Sequence, residues 1–302
     1  MPPPPIILIH RGDSFYLAHT IAQARSSNPE SRLILLGDRS NSFYLGVEHH
    51  RYEDYFDEAR EFAKLFTYEY FPNYQYPWIL FCHQKYFALR DFVGAQGIDK
   101  FLLIDSDVLL YEPIQACFRH YSGARMTVSC PETGPVAHAA FAVVNDSTVI
   151  GELCTLYTEM FSQSVSQLRE STATTMFYEM VGLFLLMKKN RSGVLNTYFE
   201  EANFAINHSM LEDPRFEYAD ARVRIDWEEG KPMAIKRGTA QRKHLPALHF
   251  HGKAKYVIKS HLQLKGLRLR VEHLLNRIHS ALRKYPVRLL NKVSAGRMFP
   301  GI

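Results

Sequence analysis

The chain has 302 residues, of which 46% are hydrophobic and 22% charged, and its formal net charge is +5 at pH 7. This is ordinary globular usage, which excludes a disordered chain and favours one large domain, with or without a tail. The longest apolar stretch, residues 180–187, is too short to span a bilayer.

Strands and helices are predicted to alternate along the first third of the chain. Residues 6–9 form an apolar run typical of a buried parallel strand. A helix is predicted from Ser14 to the stop signal at Asn28-Pro29, and a second strand over residues 32–36. Such a βαβ unit places its loops at the carboxyl ends of the strands, where open parallel sheets bind ligands.

The remaining elements extend this pattern to an α/β fold with a mainly parallel sheet flanked by helices, over residues 5–255. Residues 101–104 predict a third buried strand that continues through 108–111. Residues 199–237 give no clear pattern. Further strands are predicted at 126–129, 139–144 and 248–251, and helices at 51–66, 78–94, 147–161 and 172–189.

Residues 256–302 form a tail of different composition. From Lys253 onward there are twelve lysines and arginines and one acid, Glu272, with leucines interspersed, as in basic amphipathic helices. Three interpretations remain open: a helix packed on the domain by its leucines, docking onto an anionic membrane, or nucleic-acid binding. We expect no nucleic-acid partner, because the tail has no recognised module and no aromatic platform.

The compartment is predicted from the cysteines and the start of the chain. Cys82, Cys117, Cys130 and Cys154 form no CxxC pair, which argues against a zinc site or a redox motif and indicates a reducing compartment. The start MPPPP has neither the basic nor the apolar region of a signal peptide. We expect a cytoplasmic protein, peripheral on the inner face of the membrane if the tail binds lipid.

The sequence Asp105-Ser106-Asp107 follows the third predicted strand. Two carboxylates one residue apart at a strand end can both reach one divalent cation, and oxygen ligands favour Mg²⁺ or Mn²⁺. Such an ion can neutralise the charge of a departing nucleoside diphosphate. A solvated loop is the alternative, but the apolar residues on both sides favour the metal site.

A second motif, His249-Phe250-His251-Gly252-Lys253-Ala254-Lys255, lies late in the chain. Together with Asp-x-Asp it resembles the family 8 glycosyltransferases of the GT-A superfamily. The resemblance implies that His249 is the third metal ligand, that Gly252 lets the backbone approach the diphosphate, and that Lys255 contacts it. Imidazole favours Mn²⁺ over Mg²⁺, and His251 is the competing ligand.

The same resemblance implies a nucleotide pocket built from the loops after the first two strands. It is formed by His10, Gly12 and Asp13, with Asp38 accepting a hydrogen bond from the base. An N-cap of the following helix is an equal alternative for Asp13. We add Arg90, for which a helix-surface charge is an equal alternative, and Ser106, between the two aspartates.

The chain departs from the family pattern at residues 139–144, which leaves a retaining or an inverting reaction open. An inverting enzyme needs a carboxylate base near the acceptor hydroxyl. The candidates are Glu132, Asp146 and Glu179, and a surface or helix-capping acid is the alternative for each. The family's acidic segment is missing, and Glu179 is the acid nearest to its place. We therefore predict Glu179 as a catalytic residue beside Asp105, Asp107 and Lys255.

The function predicted is transfer of a sugar from a UDP-linked or similar nucleotide sugar to a glycan or a lipid-linked acceptor, with Mn²⁺ or Mg²⁺. A nucleotidyltransferase is the alternative enzyme, but it usually carries a Gly-rich basic loop that residues 10–14 lack. The other alternative is a non-catalytic, membrane-associated binding protein on a transferase scaffold.

Overall fold

The computed structural model describes residues 2–66, 76–131, 134–172, 177–189, 193–199, 208–211 and 213–294. Its centre is a seven-stranded sheet, and the predicted α/β fold with a mainly parallel sheet is confirmed. The strands of this sheet are β1 (Ile6–Ile9), β2 (Leu33–Gly37), β3 (Glu48–Arg51), β4 (Phe101–Ile104), β6 (Met126–Val128), β7 (Phe141–Val144) and β8 (Val194–Asn196).

The strand order is β3-β2-β1-β4-β7-β6-β8. Strands β3, β2, β1 and β4 run parallel, and β7 is antiparallel to both of its neighbours. The carboxyl ends of β1, β2 and β4 therefore meet at one edge of the sheet, whereas β7 ends at the opposite edge.

Helices cover both faces of this sheet, which explains why its central strands are apolar throughout. Ile7 and Ile9 pack into one core, and Ile6 and Leu8 pack into the other. A strand that is buried on both faces needs no polar alternation. The helices are α1 (Leu17–Ser27), α2 (Asp57–Ala63), α3 (Tyr76–Gln96), α4 (Ile114–His120), α5 (Thr148–Phe161), α6 (Val165–Thr172), α7 (Glu179–Lys189) and α8 (Leu267–Ser294).

Short antiparallel strands complete the fold beside the sheet edge. They are β5 (Val108–Leu110), β9 (Tyr218–Ala219), β10 (Arg222–Val223), β11 (Asp226–Glu228), β12 (Lys231–Ile235), β13 (Arg242–His244) and β14 (Ala247–His249). Strand β14 pairs with β5, with His249 opposite Val108. The late histidine motif is thereby brought next to the aspartates.

Several predicted elements need correction. Residues 108–111 do not continue β4, because a turn at Asp105 to Val108 redirects the chain into β5. Residues 51–66 form a 3₁₀ turn, Tyr52–Tyr55, and then α2 instead of one helix. The helix predicted over 172–189 is observed from Glu179, and residues 173–176 of it lie outside the described part of the chain.

The tail begins in a 3₁₀ segment, Gly252–His261, that crosses the predicted boundary at residue 255, and it continues into α8. Helix α8 packs against α1. Among the leucines of α8 whose side chains the structure describes, Leu267, Leu274 and Leu282 are more than half exposed. Within the described residues, no helix combines the length and apolarity needed to cross a bilayer.

Candidate metal centre

Asp105 and Asp107 lie in the turn between β4 and β5. The Asp105 amide donates to the carbonyl of Ala140, 2.8 Å away, and its own carbonyl accepts from Val108 N at 3.1 Å. The Phe250 amide donates to the Asp107 carbonyl at 2.9 Å. These backbone bonds fix the turn at the carboxyl edge of the sheet, where the strand pattern predicted it.

The structure brings the three predicted metal ligands together. One ligand atom each from Asp105, Asp107 and His249 lie within 4.8 Å of one another. His249 and Asp107 are buried, and Asp105 is half-buried. Of the two histidines in the motif, His249 belongs to this group, whereas His251 is exposed beside it.

The tautomer of His249 is set by its second nitrogen. Its Nδ1 lies 2.7 Å from the carbonyl oxygen of His208, which can only accept, so Nδ1 carries the proton. Nε2 then faces Asp107 Oδ1, 3.5 Å away; burial opposes a charge on the ring, but Asp107 raises the pKa of His249, so an ion would have to displace a proton from Nε2. Metal-binding histidines are usually oriented by such a bond from the other ring nitrogen.

His208 is itself held in place. Its amide donates to the buried Asp213 at 2.9 Å, and its Nδ1 lies 3.0 Å from the Ser129 hydroxyl. Burial, reinforced by His138, lowers the pKa of His208 to about 2, so the ring stays neutral. His208 therefore supports His249 through its backbone and adds no charge to the site.

Lys255 reaches one of these carboxylates. Its Nζ is 3.0 Å from Asp107 Oδ2 and 4.7 Å from the centroid of the Tyr16 ring. Burial opposes the charge on Lys255, but Asp107 outweighs it, and the pKa of Lys255 is raised. Burial also favours a protonated Asp107, but His249 and Lys255 lower the pKa of Asp107 well below its usual range.

Gly252 begins the 3₁₀ segment that carries Lys255, with φ +57°. A side chain at Gly252 would find space, since the nearest atom to a built Cβ is 3.9 Å away. The glycine is therefore needed for its left-handed backbone.

Lys85 is a second cation of the site, and the sequence analysis missed it. Its Nζ lies 3.2 Å from Asp105 Oδ1, and its side chain is 13% exposed. Burial opposes the charge, but Asp105 raises the pKa of Lys85 well above its usual value. The available signal was a lysine on the buried side of a mostly apolar helix.

Arg90, which the sequence predicted near the donor, bonds to acidic side chains of α2 and α3. It lies five residues after Lys85 on α3, about 140° around the helix. Its guanidinium bonds to Glu58 at 2.8 Å and Asp91 at 2.6 Å. The structure therefore places Arg90 among the helices α2 and α3.

The loop after β1 is joined to the aspartates through Ser106. His10 Nδ1 lies 2.8 Å from Ser106 Oγ, and its Nε2 lies 3.0 Å from Ser14 Oγ. Burial lowers the pKa of His10 to about 4, so the ring is neutral at pH 7. Ser106 thus turns away from the two aspartates and braces the first loop.

The loops after β1 and β2 are locked to each other. Asp38 Oδ2 accepts from the Gly12 amide at 2.6 Å. The fully buried Asn41 donates to the carbonyls of His10 and Gly12, at 3.0 and 2.8 Å. Burial would raise the pKa of Asp38, but the bonds from Ser40 and Gly12 lower it. The predicted nucleotide loops therefore form one preassembled unit.

Asp13 is not an N-cap. The residue before α1 is Tyr16, with no side-chain cap bond, and Asp13 instead accepts from Tyr44 Oη at 2.6 Å and Ser280 Oγ at 2.7 Å. It joins the first loop to α8.

The candidate bases lie in different places. Asp146 follows β7, at the opposite sheet edge, where it bonds to Arg125. Glu179 is half-buried at the start of α7. Burial raises its pKa, and the charges of Lys85 and Asp105 are close enough to act on it. Glu132 lies outside the described residues.

Comparison with known proteins finds similarity in structure only. No protein-family model matches the chain, and no curated protein matches its sequence. Mouse xyloside xylosyltransferase 1 is 11% identical with a TM-score of 0.47, and the match covers 64% of this chain and 84% of that one.

Two further transferases also match in structure. GlyE of Streptococcus pneumoniae is 16% identical with a TM-score of 0.36, covering 65% of this chain and 46% of its own. The galactosyltransferase LgtC, solved with donor and acceptor sugar analogs, is 11% identical with a TM-score of 0.37, covering 88% and 99%. With TM-scores this low, these likenesses carry no weight for function, which rests on the side chains.

Proposed function

We propose that this chain is a metal-dependent glycosyltransferase of the GT-A type, which moves a sugar from a UDP-linked donor to a hydroxyl group of a glycan or a lipid-linked acceptor. The observation that supports it most strongly is the group formed by Asp105, Asp107 and His249 at the carboxyl edge of the sheet. A nucleotide loop and two lysines surround this group, which suits a diphosphate more than a structural ion.

The residues present fit Mn²⁺. Two carboxylates and one imidazole with its Nε2 directed inward are a mixed oxygen and nitrogen set of the kind Mn²⁺ accepts, and Mg²⁺ is the second candidate. When bound, such an ion would neutralise negative charge on the departing diphosphate.

The charges of the site support the same reaction. Asp105 and Asp107 face the ammonium groups of Lys85 and Lys255, so the four side chains sum to zero. A divalent cation would then give the site a net positive charge that attracts a diphosphate. Lys255, next to Asp107, would stabilise the leaving group directly, the type of electrostatic effect that dominates such catalysis.

Glu179 is the proposed base if the reaction inverts the anomeric carbon. It would accept the proton of the acceptor hydroxyl as the oxygen attacks. A raised pKa suits this role, because a base is most effective when its pKa lies near the working pH. A retaining reaction would not need it.

The test is release of UDP from a panel of UDP-sugars, with Mn²⁺ or with EDTA. We expect Mn²⁺-dependent release with one sugar, lost by at least about 100-fold in Asp107→Asn. The matched control is Asp57→Asn, a surface aspartate of α2 with a side chain 95% exposed. Release of pyrophosphate from nucleoside triphosphates would instead indicate a nucleotidyltransferase. The absence of both activities would contradict the proposal.

A further inference from the structure

The C-terminal helix α8 is amphipathic, but its polar side faces the protein. Over residues 267–283, whose side chains the structure describes, the buried ones are His273, Asn276 and Ser280, which share one face because they are three and four residues apart. A helix that is packed by the hydrophobic effect shows the reverse arrangement. Six large apolar side chains of the helix are instead 44–79% exposed: Leu267, Val271, Leu274, Leu275, Ile278 and Leu282.

Specific hydrogen bonds fix the rotation of α8. His273 Nε2 lies 2.8 Å from His19 Nδ1 on α1. Asn276 bonds to both backbone groups of Leu45, accepting at 2.8 Å and donating at 3.2 Å. Rotation would leave these buried groups without partners, which is costly. The outward position of the apolar side chains is therefore built into the fold.

The six exposed apolar residues form a continuous stripe bordered by arginines. At about 100° per residue they cover a sector of about 100°. Arg268 lies just beyond one border, and Arg270 and Arg277 lie beyond the other. The single acid of the tail, Glu272, accepts from Arg268 at 2.9 Å, so one border carries an ion pair and the border of Arg270 and Arg277 stays cationic.

We propose that α8 docks the protein flat on an anionic lipid bilayer, with the apolar stripe of Leu267, Val271, Leu274, Leu275, Ile278 and Leu282 at the acyl boundary. The bordering arginines then meet the lipid phosphates while their methylene stems remain in the apolar layer. Interfacial helices bind in this way, through apolar area combined with attraction to anionic headgroups.

Other occupants of the stripe fit less well. In a symmetric pair of copies, the two stripes would bring arginine borders against each other, with no unpaired acid from the tail between them. A nucleic acid would satisfy the arginines but leave the apolar stripe without a partner. A bilayer with anionic lipids satisfies both features.

The docked helix would also bring the candidate site to the membrane. Ser280 of α8 bonds to Asp13, in the loop that carries Gly12. The helix that docks on the bilayer therefore also contacts the predicted nucleotide loop. Resting on the proposed function, this arrangement suits a lipid-linked acceptor. The docking itself does not depend on activity.

The experiment is flotation of the full chain with phosphatidylcholine vesicles that contain or lack phosphatidylglycerol. We expect binding only to the anionic vesicles. Leu274→Asn combined with Ile278→Asn should weaken this binding at least about ten-fold. Arg270→Gln should weaken it about five-fold, since a basic residue near the surface contributes about 1 kcal/mol. Leu195→Asn, at a 44% exposed leucine on β8, should leave it unchanged.

Circular dichroism and thermal melting confirm that each variant is folded. No binding to anionic vesicles, or equal binding after Leu274→Asn with Ile278→Asn, would overturn the proposal. Light scattering that shows a dimer in wild type and a monomer in the stripe variant would assign the stripe to a second copy instead. Both readouts are independent of UDP release, so this inference and the proposed function can fail separately.

Discussion

The choice between His249 and His251 as metal ligand depends on one hydrogen bond. Because Nδ1 of His249 is held by the His208 carbonyl, its Nε2 is oriented toward Asp107 before any ion arrives. We expect His249→Ala to weaken Mn²⁺ binding by at least about 100-fold, more than the loss of an outer-shell partner costs. His251→Ala, beside it, should change the affinity by less than about three-fold. Calorimetric titration with Mn²⁺ in the presence of UDP measures both, and equal losses would contradict the assignment.

Lys85 and Arg90 lie on one helix and have opposite expected roles. Lys85→Gln removes the cation beside Asp105, and we expect kcat/KM for the donor to fall by about 100-fold, as for other charged groups aimed at a reacting centre. Arg90→Gln should leave kcat/KM within about two-fold and affect stability alone, because its partners are Glu58 and Asp91. Steady-state kinetics on the two variants separates them, and the reverse ranking would restore the sequence-based role of Arg90.

Glu179 is expected to give the pH profile of an inverting enzyme. Burial raises its pKa, so kcat/KM should rise as the pH increases through that raised value, and Glu179→Gln should remove the rise with most of the activity.

The stability of the fold should change with pH in the opposite direction to kcat/KM. A carboxyl with a raised folded pKa stabilises the fold while protonated, and this contribution is lost as the pH rises through that pKa. At pH values above that pKa, the Glu179→Gln variant should therefore melt at a temperature no lower than wild type. Full activity in the variant would rule Glu179 out as a base and leave a retaining reaction.

At the scale of elements, the loops after β1 and β2 depend on a glycine at the end of β2. A Cβ at Gly37 would lie 2.0 Å from Asn41 Oδ1, and Asn41 holds both loops. We expect Gly37→Ala to displace Asn41, lower the free energy of unfolding by about 2–3 kcal/mol, and weaken donor binding. Chemical denaturation and UDP titration measure the two effects.

The control for Gly37 is a glycine at which, unlike at Gly37, a side chain would meet no neighbour. Gly94 lies within α3, and nothing lies within 4 Å of a built Cβ. Gly94→Ala should therefore stabilise the protein by about 0.5–1 kcal/mol, because alanine favours the helix. Equal destabilisation by both variants would show that the loops do not depend on Asn41.

The buried strands and the grouping of Asp105, Asp107 and His249 were predictable because their signals are local or motif-based. Apolar runs such as residues 6–9 mark a strand covered on both faces, and the aspartates follow such a strand directly. The partnership of Lys85 with Asp105 was not predictable, because it depends on how α3 is rotated against β4. Likewise, only the hydrogen bonds of His273 and Asn276 decide that α8 turns its leucines outward.

At the scale of the whole molecule, the proposed centre joins parts of the chain that are far apart in sequence. Asp107 lies between β4 and β5, whereas His249 and Lys255 belong to the strand and turn that precede the tail. The loop after β1 closes the same edge through Ser106 and is tied to α8 through Asp13. A ligand bound there would contact elements from both ends of the fold, so it should stabilise the molecule as a unit.

We therefore expect Mn²⁺ and UDP together to raise the melting temperature, and UDP with EDTA to have little effect. A ligand at about 100 times its Kd adds about 2.7 kcal/mol, which for a chain of this size corresponds to roughly 5 °C. Asp105→Asn should abolish this shift, whereas Asp57→Asn should retain it, and differential scanning fluorimetry under both ligand conditions measures these shifts. An equal shift by UDP in EDTA would show that the nucleotide binds without the carboxylates, and the aspartates would then have to serve another purpose.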